Sequence, residues 1–261
     1  MNKRYENVLL ITGCINPVPQ KYLILNQAKP RLEQYIQSIK FYILKSNFKE
    51  IVFCENSNYI YEDVDKLIDL AMNAGKSFEW LSFKGDSKKT AEQGKGYGEG
   101  EIVEYALKNS KLLHRCEYFT KITGRLIVSN INQILSLTKF NKFKIFMNRD
   151  IYRRRGIDTR LYIVQKKTYI KYFLLLYKNV DDNNEENPRA LEDVFYIKAL
   201  KLKDEWINLS RYPKFIGISG GNGRNYTAES KIKINMFNFL CKHGVFNSFF
   251  LLSYIYEKIG V

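Results

Sequence analysis

The chain has 261 residues, 45% of them hydrophobic, enough for one large or two small domains around a packed core, which argues against a disordered or fibrous protein. Its 42 lysines and arginines outnumber 27 acidic residues, and a net charge of +15 favours an anionic partner: a nucleotide, nucleic acid or an acidic membrane surface. Cys14, Cys54, Cys116 and Cys241 show neither zinc spacing nor a disulfide framework. Cys14, Cys54 and Cys116 read as buried thiols, a reducing compartment fits, and the short apolar run Val8 to Thr12 near the N-terminus is too brief for a signal peptide or a membrane span. A cytoplasmic protein is the expectation.

In chain order, Val8 to Thr12 predicts a buried strand delivering a loop of Gly13, Cys14, Ile15, Asn16 and Pro17. Arg31 to Leu44 carries Leu32, Tyr35, Ile36, Ile39, Tyr42 and Ile43 at spacings of three and four, an amphipathic helix. Ile51 to Cys54 is a second buried strand. The polar residues at its end, Glu55, Asn56, Ser57 and Asn58, offer hydrogen bonds to a ligand or cap the next helix, Tyr61 to Ala74. Phe78 to Phe83 alternates as a third strand, followed by a polar segment.

Gly94, Gly96, Gly98 and Gly100 then recur at every second position, with Lys95, Tyr97 and Glu99 between them. Glycine gives up more backbone freedom than any other residue, so the spacing predicts a loop that lets backbone approach something closely, plausibly a phosphate. Ile102, Val103, Tyr105, Ala106 and Leu107 follow at helical spacing and set a helix start behind the loop, where amides can face an anion. The other reading is an ordinary turn before a helix. No Gly-Lys-Ser/Thr closes the segment, and the third glycine does not stand where a dinucleotide fold needs it.

Tyr118 to Ile122 is a strand ending in Thr123, Gly124 and Arg125. The order strand, helix, strand, helix, strand, loop, helix, strand argues for a parallel sheet with helices on its faces, whose ligands gather at the carboxyl ends of the strands. Beyond it, Asn130 to Leu137 predicts a short helix, residues 144–147 a strand, Leu161 to Val164 another strand and Lys167 to Tyr177 a helix. Arg149, Arg153, Arg154, Arg155 and Arg160 mark a basic loop, either solvated surface or a contact for a diphosphate or an anionic acceptor. Asp181 to Pro188 reads as a mobile polar loop and a candidate lid. The helix opening at Pro188 has Glu192 and Asp193 in its first turn, favoured there by the helix dipole and equally able to project into a cleft. A second glycine-rich turn, Gly217 to Arg224, precedes a C-terminal stretch of aromatic and aliphatic residues interleaved with lysines, either a packed helix pair or a basic amphipathic patch on an anionic membrane.

Taken together, the strand and loop Leu9 to Asn16, the strand end Cys54 to Asn56, the segment Gly94 to Leu107, the strand Tyr118 to Arg125 and the pair Glu192 and Asp193 resemble the bacterial glycosyltransferases of the GT-A type, particularly the small ones of capsule and lipopolysaccharide (O-antigen) assembly. The resemblance covers about residues 8 to 200. It implies an α/β, GT-A-like, Rossmann-type, mostly parallel sheet flanked by helices, with a catalytic domain over residues 1–210 and a helical C-terminal region over 211–261. It implies a UDP- or dTDP-sugar donor bound by Thr12, Gly13, Asn16, Glu55, Asn56, Lys95, Gly96, Gly98, Lys121, Thr123, Gly124, Arg125 and Arg224. The reaction would be an inverting displacement with Asp193 as general base and Glu192 as its substitute. The acceptor would be a glycan or lipid-linked glycan, reached by peripheral contact with the inner membrane.

One departure stands out. Where the family carries an Asp-X-Asp metal motif, this chain has Lys121, Ile122, Thr123, Gly124 and Arg125. Lysine and arginine suit diphosphate directly, so a divalent metal is not expected. The rival reading, a nucleic-acid-binding protein or nuclease using the basic surface, has no zinc-finger, basic-zipper or RNA-recognition signature, so no nucleic-acid partner is expected.

Overall fold

The computed structural model describes residues 6–18, 25–150, 156–218, 223, 225–228, 235–236 and 238–239. In chain order the elements are β1 (Asn7–Gly13), α1 (Ala28–Lys45), β2 (Glu50–Glu55), α2 (Val64–Asn73), β3 (Ser77–Ser82), α3 (Ser87–Gln93), α4 (Lys95–Asn109), α5 (Lys111–Arg115), β4 (Tyr118–Thr123) and β5 (Ile127–Val128). They continue through α6 (Ile131–Leu137), β6 (Ile145–Arg149), β7 (Ile157–Gln165), α7 (Lys166–Tyr172), a 3-10 turn at Leu176–Asn179, α8 (Leu191–Leu200), β8 (Trp206–Ile207) and β9 (Phe215–Ile216). Seven strands form one sheet in the order β3-β2-β1-β4-β7-β6-β8. β1 to β4 are mutually parallel, β7 runs against both β4 and β6, and β8 is parallel to β6.

The near-continuous apolar runs of β1 and β2 follow from burial on both faces. On one face Leu9, Ile11 and Phe53 pack against Tyr35, Ile39, Tyr42 and Ile43 of α1, Leu67 and Ala71 of α2 and Ile131 and Ile134 of α6. On the other, Val8, Leu10, Val52 and Phe119 pack against Ile102, Val103 and Ala106 of α4, with α5, α7 and Val194, Phe195 and Ala199 of α8 completing the core. The α/β sheet with helices on both faces is therefore as the sequence predicts.

The glycine segment is not. Gly96, Gly98 and Gly100 lie inside α4, which starts at Lys95. Tertiary packing overrides their poor helix propensity because the helix needs bare backbone there. A Cβ on Gly100 would run into the Cβ, Cγ and Cδ1 of Tyr177, and one on Gly96 would lie 3.0 Å from Leu191 Cβ and 3.1 Å from Val180 Cγ1. Gly94 alone of the four has a left-handed φ, 97°, and separates α3 from α4.

Other expectations also shift. The predicted helix 167–177 ends at Tyr172 and resumes only as the 3-10 turn. Arg160 sits within β7 rather than in a basic loop, its neighbours 153–155 lying outside the described residues. The two-residue strands β5, β8 and β9 carry too little sequence to show a pattern. Asp181 to Pro188 is a loop, but it is tied at its base by paired Asp181 and Arg189 backbones, 2.8 and 2.9 Å, and Asn183 Nδ2 donates to Ala91 O at 2.7 Å. Arg224 and the stretch from 240 onward lie outside the described residues, as does Cys241. Cys54 and Cys116 are buried, and burial pushes the Cys116 thiol up to about 12. Cys14 is only partly covered, its thiol pushed up to about 11.

Candidate functional site

Parallel pairing puts Thr12 level with both Cys54 and Thr123, so the ends of β1, β2 and β4 reach one edge together. Close approach is enforced by glycine. A Cβ on Gly124 would strike Thr12 O, which accepts the Gly124 N–H at 2.8 Å, and one on Gly13 would lie 2.7 Å from the Phe53 ring. Gly13 O in turn accepts the Asn56 N–H at 3.2 Å.

Glu55 is fully buried and organises the loops at this edge. Its Oε2 accepts from Ser57 N at 2.9 Å and Ser57 Oγ at 2.5 Å, its Oε1 from Tyr59 N at 2.8 Å and from the Ser82 hydroxyl. Ser57 Oγ accepts the Asn16 N–H at 3.0 Å, linking the loop after β1 to the same carboxylate. A buried carboxylate so surrounded by donors is a structural hub.

Arg125, just past β4, is fixed from α1. Its Nη1 donates to Gln34 Oε1 at 3.1 Å, and Tyr35, Arg31 and Cys14 are its other close charge neighbours, none of them a carboxylate. Burial and the Arg31 charge pull the Arg125 guanidinium below its ordinary value. Arg31 is itself buried and stitches the β1–α1 loop, donating to Cys14 O at 2.8 Å, Leu25 O at 2.9 Å and the Tyr35 hydroxyl at 3.3 Å. Two adjacent guanidiniums without a described acidic neighbour make a positive strand tip.

Lys121 behaves differently. Its side chain is 0% exposed, forms an ion pair with Glu99 of α4, and donates to Thr123 Oγ1 at 3.1 Å and Thr159 O at 2.8 Å. Thr159 Oγ1 donates to Glu192 Oε1 at 3.0 Å. The bridge is made where β7 bulges: Met147 pairs with Tyr162 but Arg149 with Ile157, so β7 carries extra residues around Thr159. Because β7 is antiparallel to β4, this start of β7 lies at the carboxyl end of β4. Glu192 thereby joins the edge that carries Arg125. Asp193, next to it, accepts the Ala190 N–H at 2.8 Å through Oδ2 and caps its own helix.

The donor set at the end of β4 does not fit a divalent cation, which takes clustered oxygen ligands with negative charge. Thr123 is engaged by Lys121, Arg125 is cationic, and among the described residues no three of His, Cys, Asp and Glu come together to hold a metal.

The start of α4 is also engaged. The Gly96 N–H donates to Asp182 Oδ2 at 3.1 Å, so an internal carboxylate takes the amide that the sequence suggested for phosphate. Lys95 is exposed beside it, and Gly98 lies against the Asn56 amide and Thr90. The structure thus brings Thr12, Gly13, Asn16, Glu55, Asn56, Gly98, Lys121, Thr123, Gly124, Arg125 and Glu192 to one edge, and sets Gly96 under the loop after the 3-10 turn. Sequence reasoning passed over Arg31, Gln34, Glu99 and Thr159. Arg31 and Tyr35, four apart at the start of α1, carried a visible signal; Glu99, between two glycines, carried one only once those glycines are read as helix.

This sheet, reversed at β7 and with its polar groups at the strand tips, defines a GT-A-like α/β fold. No protein-family model and no curated protein sequence matches the chain. Among solved structures it is similar to the glycosyltransferase GlyE of Streptococcus pneumoniae TIGR4, with a TM-score of 0.53 at 10% identity over 79% of this chain and 45% of that one. Its apo form gives 0.51 at 11% identity over 78% and 45%. The chain therefore spans less than half of GlyE, and at this identity the likeness speaks for the fold. A weaker likeness, 0.48 at 10% identity over 88% of this chain and 98% of the other, is to a glycosyltransferase involved in the glycosylation of the major capsid of PBCV-1. Among the described residues no helix is long and apolar enough to cross a membrane.

Proposed function

We propose that the protein transfers a sugar from a nucleoside-diphosphate sugar to a hydroxyl of a glycan acceptor. The observation that carries the reading is that the carboxyl end of a GT-A-like sheet carries both an arginine with no described acidic neighbour, held against α1, and a carboxylate from the first turn of α8, held against β7. Arg125 receives the diphosphate, since Lys121 is closed off and matched by Glu99. Glu192 is the general base and Asp193 holds the helix start, an exchange of the roles that the sequence suggested. An acceptor oxygen attacks the anomeric carbon as the bond to the diphosphate breaks. Its proton passes to Glu192, and the departing diphosphate takes the bonding pair and is stabilised by Arg125. One displacement inverts the anomeric centre. The resemblance to capsule and lipopolysaccharide enzymes supports a glycan acceptor, carried on a lipid at the membrane surface.

The test is turnover of a panel of sugar nucleotides with purified glycan acceptors. Glu192→Gln is expected to lower the rate by about 100-fold or more, the scale of a lost general base. Its melting temperature should stay near that of the parent. Asp193→Asn is expected to lose stability, about 1 kcal/mol for a weakened cap, and to retain turnover. Transfer at the parental rate by Glu192→Gln would remove Glu192 from the mechanism.

A further inference from the structure

An apolar run without cover among the described residues lies between α7 and the 3-10 turn. α7 ends where the Leu174 N–H reaches back five residues to Tyr169 O, at 3.0 Å, and Leu174, Leu175 and Leu176 follow in succession. None of the three is buried. Leu174 and Leu176 lean on the core that contains Tyr169, Phe173 and Tyr177, whereas Leu175 is 52% exposed. Ile170, near the end of α7, is 47% exposed. Single exposed apolar residues are ordinary on a protein surface, but a consecutive run of them calls for a reason.

The charge around the run has one sign. From Lys166 to Val180 there is no aspartate or glutamate, and Lys166, Lys167, Lys171 and Lys178 punctuate the segment. Lys166 is turned to the Leu113 carbonyl of α5 at 3.0 Å, and the other three are exposed. The acidic neighbours that other elements bring are themselves matched: Glu205, beside Lys171, pairs with Lys144 at 2.9 Å, and Glu104, beside Lys178, pairs with Lys108 at 2.6 Å. α8 belongs to the same layer, with Phe195 against Phe173 at 5.1 Å, and adds an exposed Ile197 and an exposed Lys201.

Aliphatic side chains set among lysines suit an anionic lipid surface, where the ammonium groups stay with the headgroups while leucine and isoleucine pass into the acyl boundary. A nucleic acid would call for arginines and exposed stacking rings, and no arginine lies between Lys166 and Val180. A second copy of the chain on a two-fold axis would set these lysines against their own equivalents.

We propose that residues 166–180, with the outer side of α8, form the face by which the protein lies on an anionic membrane, Ile170 and Leu175 entering the headgroup boundary. This face is separate in sequence from the C-terminal stretch, and the inference extends the reading of a lipid-carried acceptor. Ile197 follows Glu192 by five residues, about 7–8 Å along α8, so a bilayer held there borders the edge that carries the proposed base.

Flotation of the full chain with vesicles tests it, comparing phosphatidylcholine alone with phosphatidylcholine carrying phosphatidylglycerol, at low and at high salt. Binding to the anionic vesicles is expected to exceed that to the neutral ones by about tenfold or more and to fall with salt. Leu175→Ser combined with Ile170→Ser should lower it by about tenfold or more, and Lys171→Gln and Lys178→Gln by about fivefold each. All four positions are exposed, so these changes leave the core intact. Leu44→Ser, at a site 53% exposed on α1 across the sheet, should change nothing. Absence of binding to anionic vesicles, binding unaltered by the Ile170 and Leu175 changes, or an equal loss in Leu44→Ser overturns the face. So does a dimer of the parent that Leu175→Ser dissociates. Each of these outcomes leaves sugar transfer to its own test with soluble acceptors.

Discussion

Replacing Gly100 by alanine sets two effects of opposite sign against each other, and the structure decides between them. Within a free helix the change would add about 1 kcal/mol of stability, because alanine loses less backbone entropy. Here the added methyl would meet Tyr177 at three atoms, with Cδ1 at 2.9 Å. Tyr177 cannot swing aside: it is 4% exposed, stands edge-on to Tyr97 and donates its hydroxyl to Glu104 Oε2 at 2.5 Å. Overpacking costs about 1–3 kcal/mol, and a clash with three atoms of a held ring belongs to the upper part of that range, about 2–3, so Gly100→Ala should be destabilised by about 1–2 kcal/mol net. For a chain of this size that lowers the melting midpoint by about 3–6 °C. Gly98→Ala is the control, since its nearest contacts are the 3.2 Å approaches to Thr90 on a helix that buries nothing. It should stay within about 0.5 kcal/mol of the parent. Thermal and urea melts of both variants give the answer. A Gly100→Ala protein as stable as the parent would refute the close packing of α4 on Tyr177.

The buried pair at β4 predicts an asymmetry in melting experiments: Glu99→Gln, which strands a 0% exposed ammonium, should destabilise more than Lys121→Met, which leaves a carboxylate 25% exposed to water. Equal losses would argue against burial of the lysine charge. Arg160 makes a bidentate pair with Asp158, 2.8 and 2.7 Å, and lies over the Phe215 and Tyr226 rings at 4.3 and 4.8 Å. Arg160→Met should cost about 3–5 kcal/mol in a denaturant titration, and Asp158→Asn in the same background should recover part of it. Glu101 sets a pH trend: with its folded value raised above the ordinary 4.5, its contribution to stability is full below that value and is lost as pH rises through the folded one. Melting of Glu101→Gln followed across pH should lack this decline, and a parallel slope in parent and variant would count against it.

The sheet was legible because its signal is local. Four consecutive apolar residues from Val8 bounded by polar ones, or the three- and four-residue spacing of Leu32 to Ile43, are set by burial on one strand or one helix face, and each is visible in a short window. The glycines of α4 were misread because helix propensity is also local, whereas the reason for those glycines is Tyr177, Val180 and Leu191, contributed from some eighty residues away. The same holds for charge. Asp182 on the Gly96 amide, Glu99 on Lys121 and Arg31 beside Arg125 join residues that no spacing rule connects.

These long-range pairs also decide which charges at the edge are open to a ligand. Glu55 is consumed by backbone and hydroxyl donors, Lys121 by Glu99, and the α4 amide by Asp182. Most of the anion-binding capacity counted from the sequence is thus matched internally, and the positive charge of the strand tips narrows to Arg125 with Arg31 behind it. On the proposed function, Arg125, held by the neutral Gln34 and Tyr35, offers its planar guanidinium to a diphosphate, which a lysine matched by three acceptors cannot do. Substituting Arg125 by lysine should therefore weaken diphosphate binding although the charge is kept, because the planar two-pronged contact is lost. Substituting Lys121 by arginine should chiefly cost stability, because the larger group has no room in a fully buried slot. If the two changes exchanged these effects in binding and melting assays, the assignment of Arg125 as the phosphate-facing cation would fail.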